Sequence, residues 1–204
     1  MQQVLIWGIA GIPWWTTDIG GFFGANINDP EFHELLIRWF EYGCFCPVMR
    51  LHGYRWPLQP QYGTTGGATC VSGAPNEVWS YTDQVCEILS DYLRLRERML
   101  PYITELMEEA HEKGTPVMRP LFYDFPEDKE SWNVETEYMF GPKVLVKPIT
   151  DADARETDVY LPGGASWTNA WTGETFEGGQ KVHVAAPIEQ IPLFTRDGYK
   201  LPMK

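Results

Sequence analysis

Basic residues are scarce in this sequence. Its 204 residues include 16 Lys and Arg against 28 Asp and Glu, which gives a formal net charge of −12. Such a charge repels a phosphate backbone, and no cluster of Lys and Arg is broad enough to override it. The composition therefore excludes nucleic acid as a partner and, with 44% hydrophobic residues, indicates a soluble globular chain.

Cysteine motifs that bind zinc are also missing. Cys44, Cys46, Cys70 and Cys86 form no Cys-x-x-Cys pair, and no histidine stands at a metal-ligand spacing from them. We therefore predict no metal site and expect reduced, mostly buried thiols.

No apolar run is long enough to cross a bilayer. The opening segment MQQVLIWGIAGIP has no basic flank, and its apolar stretch is shorter than the roughly 20 residues that a spanning helix needs. The sequence predicts neither a signal peptide nor a membrane helix. On this ground alone a cytoplasmic location is favoured; the location is otherwise unknown.

Aromatic residues are abundant, with 9 Trp, 10 Tyr and 10 Phe, and several Trp stand beside Gly, Pro, Asn or Thr. Flat rings at loop positions suit sugars, whose C–H faces pack against them, although ordinary packing accounts for most such rings. The segment WWTTDIGGFF, residues 14–23, also places one carboxylate, Asp18, among rings and glycines. An ionised carboxylate there needs a partner. The partner is either a polar ligand or, in the alternative interpretation, the backbone amides of Gly20 and Gly21.

The first half of the chain has α/β alternation. Residues 2–8 suggest the end of a helix, and residues 12–15 and 45–49 suggest two buried strands. Between them, Asp29 and Pro30 mark the start of an amphipathic helix that ends at Gly43. Residues 53–75 contain five glycines and three prolines, which predicts a long irregular loop.

The second half begins with a long helix and ends in short strands. Residues 76–113 have helical spacing, with a kink expected at Pro101 and an end at Gly114. From Thr115 onward, short β-type runs alternate with turns. We therefore predict two domains, an α/β domain at 1–115 and an all-β domain, a small sandwich or sheet, at 116–204.

Several long motifs resemble glycoside hydrolase family 31, the α-glucosidase and α-xylosidase group. They cover nearly the whole chain and include WTTDIGGF, RWFEYGCFCPVMRLHG, SGAPNEVWSY, RERMLPY, PVMRPL, EYMFGPKVLVKPI and VYLPGGASWTNAWTGE. The resemblance implies the C-terminal portion of a (β/α)₈ TIM barrel followed by a small β-sandwich. By the same resemblance, residues 14–18 end the seventh barrel strand, residues 48–52 end the eighth, and residues 77–113 form the closing helix.

The resemblance also implies a substrate site. Asp18 and His52 match the residues that hold the hydroxyls of the terminal sugar, and Phe22 matches an apolar wall against the sugar ring. Arg50 is a further candidate for this site, taken from strand geometry and not from the resemblance: we expect its side chain to point away from that of His52 and to pair with a carboxylate in the barrel wall. The implied ligand is an α-linked saccharide, with no cofactor, and the RLHGYRWP stretch is similar to α-xylosidases.

Catalytic residues are not among these positions. The family's nucleophile and acid/base precede the residue that matches Asp18, and no later motif resembles them. The remaining acids, among them Glu31, Glu34, Glu41 and those of 104–112 and 124–137, are expected on solvated surfaces. We therefore expect a C-terminal fragment of a retaining α-glycosidase, inactive alone, that self-associates or pairs with a missing N-terminal half. The alternative is a noncatalytic carbohydrate-binding or scaffold remnant.

Overall fold

The structure is a computed structural model that describes residues 2–203. Its α-helices are α1 (Gln2–Ile9), α2 (Pro30–Cys44), α3 (Asp83–Arg98), α4 (Leu100–Lys113) and α5 (Leu121–Asp124). Its strands are β1 (Phe23–Asn26), β2 (Tyr54–Gln59), β3 (Ser72–Ala74), β4 (Met118–Arg119), β5 (Tyr138–Phe140), β6 (Val144–Val146), β7 (Glu156–Leu161), β8 (Ser166–Asn169), β9 (Thr175–Glu177), β10 (Gln180–Ala185) and β11 (Leu193–Arg196). Short 3₁₀-helices occupy Gly66–Thr69, Val78–Ser80 and Lys129–Trp132.

Helix α2 begins where the sequence predicts. The side chain of Asp29 accepts a hydrogen bond from the backbone N–H of Glu31 at 3.0 Å, and Pro30 stands in the first turn, where no N–H is needed. The helix buries Phe32 and Phe40 and ends one residue beyond the predicted Gly43.

The predicted long helix is two helices. The side chain of Thr82 accepts from the N–H of Val85 and caps α3, so the preceding residues form a 3₁₀ turn instead of α-helix. A break at Met99 separates α3 from α4, because Pro101 lies in the first turn of α4, where a missing N–H costs nothing. Gly114 then ends α4 with a left-handed backbone, φ 71°, as expected.

The two predicted buried strands, 12–15 and 45–49, are not regular strands: 12–15 has no regular secondary structure, Phe45 is in a turn after α2, and residues 46–48 form bends. Residues 14–18 and 48–52, the predicted ends of two barrel strands, are not regular strands either. Two hydrogen bonds join the segments: Val48 N–H to Trp15 C=O and Ile19 N–H to Arg50 C=O, each 3.2 Å. A single parallel bridge pairs Ile19 with Leu51.

The parallel pairing continues beyond these segments, with an irregularity between Phe23 and Asn26. Strand β1 pairs with β2 in parallel, and β2 pairs with β3 in antiparallel fashion, to give the order β1-β2-β3. The predicted irregular loop at 53–75 therefore contains two strands and a 3₁₀ turn. Residues 2–203 form no closed barrel.

The last third of the chain forms two sheets. Six antiparallel strands take the order β4-β5-β6-β11-β8-β9, and β7 pairs with β10. One hydrophobic cluster includes Leu145 and Phe194 of the larger sheet together with Val159 and Val182 of the smaller one. The two sheets thus share a core.

A second core joins the helices to the larger sheet. The rings of Phe45 and Phe140 meet edge to face with centroids 5.9 Å apart. The hydroxyl of Tyr138 donates to the carbonyl of Phe45 at 3.1 Å, and that of Tyr102 donates to the carbonyl of Phe140 at 2.9 Å. Residues before and after position 115 therefore bury one another.

Some acids expected on solvated surfaces are buried instead. Glu41 accepts from Arg38 Nη1 and from the Tyr92 hydroxyl, each at 3.1 Å. Burial raises the pKa of Glu41 to about 8, against the opposing effect of the Arg38 charge. Glu137 is also buried, where it accepts from Tyr160 N–H at 3.1 Å and from Lys147 Nζ at 3.4 Å. The expectation was wrong for these acids because each has internal donors in place of water.

The cysteines divide into two groups. Cys44 and Cys46 are buried, whereas Cys70 is exposed and Cys86 is half-buried, and none of the four forms a disulfide. Burial raises the pKa of the Cys44 thiol to about 12. Across residues 2–203, no helix combines the length and apolar character that spanning a membrane requires.

Candidate functional site

An ion pair joins segment 14–18 to segment 48–52. Arg50 Nη2 donates to Asp18 Oδ1, and both side chains are partly exposed. The parallel bridge between Ile19 and Leu51 sets the register of this pair. Because successive side chains of extended segments alternate in direction, Asp18 and Arg50 share one side while Ile19 is buried on the other. Arg50 thus pairs with Asp18, a residue of the candidate site, and not with a separate carboxylate in the barrel wall.

Phe22 and His52 form the second half of the predicted site. Their rings lie 5.5 Å apart between centroids, at an angle of 39°. Both side chains are exposed and line an open cleft of about 530 Å³, together with Leu51, Gly53, Tyr54, Asn76 and Glu77. Asp18 and Arg50 are close in sequence to residues that line this cleft, but they do not line it themselves. The structure thus brings the four predicted residues together as two adjacent pairs.

The alternative interpretation of Asp18 concerned the amides of the following glycines. The backbone carbonyl of Asp18 accepts from Gly21 N–H at 2.7 Å, whereas the side chain accepts from Arg50. Close approach of the two loops depends instead on Gly53. A Cβ at Gly53 would stand 2.3 Å from the carbonyl oxygen of Phe22, so only glycine fits there.

Sequence reasoning missed Arg55, which holds both loops in place. Its guanidinium is fully buried and donates to the carbonyls of Gly21 at 2.8 Å, Ile19 at 3.1 Å and His52 at 3.4 Å. It also lies over the ring of Phe32, 5.2 Å from the centroid. One signal in the sequence could have identified it. Arg55 stands between two aromatic residues, and because side chains alternate along a strand, it points away from the face that exposes their rings.

Polar groups at the cleft rim are already oriented. Asn76 Nδ2 donates to Gly53 C=O at 3.2 Å, and the Tyr81 hydroxyl donates to Asn76 Oδ1 at 2.5 Å. Glu77 accepts from the Ser80 hydroxyl at 3.0 Å. Backbone and Ser80 hydrogen bonds hold the pKa of Glu77 below its usual value, so an ionised carboxylate faces the cleft.

This arrangement offers an aromatic wall, an imidazole and two carboxylates, one of them fixed by a guanidinium. Aromatic faces combined with hydrogen-bond donors and acceptors suit a polyhydroxylated ligand. Within the part of the chain that the structure describes, no group of three or more His, Cys, Asp or Glu side chains is placed to hold a metal ion.

Comparison with known proteins agrees with these features. Residues 1–106 match the family model described as the glycosyl hydrolases family 31 TIM-barrel domain, and residues 114–201 match the glycosyl hydrolase family 31 C-terminal domain. The chain belongs to glycosyl hydrolase family 31. The resemblance carried by the sequence motifs is therefore confirmed, and the family 31 chain has mixed helix and sheet content.

Three relatives illustrate the match. A family 31 α-xylosidase from a soil metagenome, solved in complex with xylose, is 51% identical to the family 31 chain with a TM-score of 0.91; the match covers 97% of this chain and 29% of that one. The Alpha-xylosidase of Saccharolobus solfataricus is 38% identical over 98% of this chain and 25% of its own length. Alpha-glucosidase 2 of Bacillus thermoamyloliquefaciens is 35% identical, and the match covers 94% of this chain and 22% of that protein. The family 31 chain thus spans about a quarter of the length of these relatives.

Proposed function

We propose that this chain forms part of the sugar-binding pocket of a retaining α-glycosidase that hydrolyses terminal α-linked xylose or glucose. The observation that carries the proposal is the Asp18–Arg50 pair beside the cleft of Phe22 and His52. Both pairs lie at the carboxyl ends of two adjacent parallel segments. Active residues of TIM-barrel enzymes occupy that end of the strands.

Each of the four side chains has a distinct role in this proposal. Asp18 accepts hydrogen bonds from sugar hydroxyls, and Arg50 fixes the orientation of its carboxylate. His52 donates one hydrogen bond to the sugar. Phe22 packs its exposed ring against the apolar face of the sugar.

The catalytic carboxyl groups lie elsewhere in this proposal. A retaining glycosidase needs two, about 5 to 5.5 Å apart, one of them a general acid with a raised pKa. Asp18 is engaged by Arg50, and the lowered pKa of Glu77 disfavours that role. Glu41 has a raised pKa but is sealed in the core. We therefore infer that segments outside this sequence supply the nucleophile and acid/base, and that the chain alone does not hydrolyse glycosides.

The names of the relatives favour xylose as the terminal sugar. The structure at 51% identity is a complex with xylose, and the relatives at 38% and 37% identity are named Alpha-xylosidase and Alpha-xylosidase A.

We also propose that the chain divides into two domains near residue 115 and that the two C-terminal sheets form a β-sandwich. The core shared by these sheets supports the sandwich.

Calorimetry with xylose, glucose and isoprimeverose tests the binding role. We expect the wild-type chain to bind xylose or isoprimeverose and the Asp18→Ala variant to lose that binding. The control is Asp91→Ala, because Asp91 forms a comparable ion pair with Arg94 on the surface of α3. Equal affinity of the wild type and Asp18→Ala would refute the assigned site.

A turnover assay with a nitrophenyl α-xyloside separates the glycosidase from the alternative, a sugar-binding or scaffold protein. The chain alone should show no turnover in either case. A longer protein that includes the preceding family 31 barrel strands should hydrolyse the substrate if the chain is part of an enzyme. Turnover by the chain alone, abolished by one Asp or Glu substitution, would contradict the assignment of the catalytic groups.

A further inference from the structure

Aromatic rings continue beyond the cleft along the sheet of β1 and β2. Phe23 and Tyr54 stack at 6.4 Å between centroids and 25° between planes, and Tyr54 and Trp56 lie 6.5 Å apart. These three residues, named here the aromatic strip, are 70%, 40% and 46% exposed. Contiguous exposed apolar surface of this kind marks a binding surface more often than ordinary exterior.

The aromatic strip occupies one face of the β1-β2-β3 sheet, whose buried residues are Arg55 and Ala74. Arg55, between Tyr54 and Trp56 in β2, points to the opposite face and is completely buried. Strand β2 has neighbours on both sides, so Tyr54 and Trp56 do not lie on a sheet edge, whereas Phe23 lies on β1, the edge strand of this sheet among the described residues. The backbone at Tyr54 and Trp56 is thereby fixed, and their rings are presented at little entropic cost.

The aromatic strip is continuous with the candidate site. Phe22, which lines the cleft, contacts Phe23 edge to face at 5.9 Å, and Tyr54 lines the cleft itself. Successive ring contacts therefore run from His52 through Phe22 and Phe23 to Tyr54 and Trp56, in steps of 5.5 to 6.5 Å.

We propose that the aromatic strip binds the further sugar units of an oligosaccharide whose terminal residue occupies the cleft. This inference rests on the proposed function of the cleft. A neutral sugar chain suits a surface whose rings are interrupted by polar side chains: Asn26 lies opposite Trp56 in the β1–β2 register, and Glu77 lies at the cleft. The substrate class is accordingly an oligosaccharide longer than a disaccharide.

Binding measurements with ligands of increasing length test this proposal. The probes are xylose, isoprimeverose and a gluco-oligosaccharide of four sugars that carries a terminal α-linked xylose. We expect the longest probe to bind the wild-type chain about tenfold more tightly than xylose, which corresponds to stacking on one or two rings. The Trp56→Ala and Phe23→Ala variants should each lose roughly threefold or more of that gain while their affinity for xylose is unchanged.

Two further variants serve as controls. Trp56→Phe keeps a ring and should retain most of the gain, which distinguishes lost stacking from a folding defect. Trp132→Ala removes a tryptophan that is 57% exposed but lies on the 3₁₀-helix Lys129–Trp132, stacked on Phe122, and it should change no affinity. Thermal melts of all variants confirm that they are folded.

The possible outcomes separate this inference from the proposed function. Equal affinity of the wild type and Trp56→Ala for the longest probe, with xylose binding still dependent on Asp18, overturns the aromatic strip alone. Absence of any sugar binding by the wild type overturns both. A decrease in self-association of Trp56→Ala, with no change in sugar affinity, assigns the aromatic strip to a second copy of the chain and also overturns the proposal.

Discussion

Gly20 lies directly against the guanidinium of Arg55: a Cβ at residue 20 would stand 2.6 Å from Nη2 of Arg55. Gly20 and Gly21 both have left-handed backbones, with φ of 82° and 87°. The space around them differs, because nothing lies within 4 Å of a Cβ built on Gly21. The two glycines therefore separate backbone strain from steric contact.

We predict that Gly20→Ala destabilises the chain more than Gly21→Ala. Both substitutions incur the cost of a left-handed alanine, about 1 to 2 kcal/mol, and Gly20→Ala adds an overpacking cost of about 1 to 3 kcal/mol. Urea unfolding of both variants gives the difference in the free energy of unfolding. Equal destabilisation would show that Arg55 moves aside freely.

Removal of the Arg55 guanidinium should loosen both site loops. In Arg55→Met, the carbonyls of Ile19, Gly21 and His52 lose their donor, and we expect a cost of roughly 2 to 4 kcal/mol in the free energy of unfolding. Xylose affinity should fall as well. The control is Arg94→Met, an exposed arginine on α3, for which a change within about 0.5 kcal/mol is expected. Unchanged xylose affinity in Arg55→Met would exclude a positioning role.

Glu137 should make stability depend on pH. Burial raises its pKa to about 7, although Lys147 acts in the opposite direction. The folded chain therefore keeps this proton to a higher pH than the unfolded chain. The free energy of unfolding should fall by roughly 2 to 3 kcal/mol as pH rises from about 4.5 to 7.

Urea unfolding at several pH values between 4.5 and 8 measures this contribution. Glu137→Gln should reduce the slope by the Glu137 contribution, because an amide does not titrate, while Glu41, whose pKa burial also raises, keeps its own contribution. Glu112→Gln, at an exposed position in α4, should leave the slope as in the wild type. If the free energy of unfolding of Glu137→Gln changed with pH as steeply as that of the wild type, another group would be responsible for the pH dependence.

The apolar surface around α1 should drive association. Ile9 and Ile12 are exposed, as are the nearby Trp7 and Trp14. We expect the wild-type chain to elute as a concentration-dependent oligomer, or to bind a protein that carries the preceding family 31 barrel strands. The variant Ile9→Lys/Ile12→Lys should shift the equilibrium toward monomer. Leu93→Lys, an exposed leucine on α3, is the control, and a clean wild-type monomer at all concentrations would contradict the prediction.

Local signals in the sequence predicted the helices best. Asp29 and Pro30 mark the start of α2 because capping depends on adjacent residues alone. The buried position of Glu41 was not predictable in this way. Its partners Arg38 and Tyr92 lie on two helices, and Arg38 also donates to the carbonyl of Ala186, 148 residues away.

The candidate site shows the same division. Motif resemblance supplied Asp18, Phe22 and His52, strand geometry added Arg50, and the structure shows the contacts Asp18–Arg50 and Phe22–His52. Arg55 was not predicted as a site residue. It acts through hydrogen bonds to three backbone carbonyls, and the residue types in the sequence do not reveal such bonds. The segments around residues 15 and 48 were predicted as strands, since an apolar run indicates burial without showing whether the backbone forms a regular ladder.

Arg38 has a practical consequence for anyone who divides this protein. Its guanidinium in α2 donates to the carbonyls of Ala154, Ala186 and Pro187, all in the C-terminal third. A cut near residue 115 would separate the Arg38 guanidinium from these carbonyls and the Tyr138 side chain from the carbonyl of Phe45. The two halves should be expressed, stored and handled as one indivisible unit.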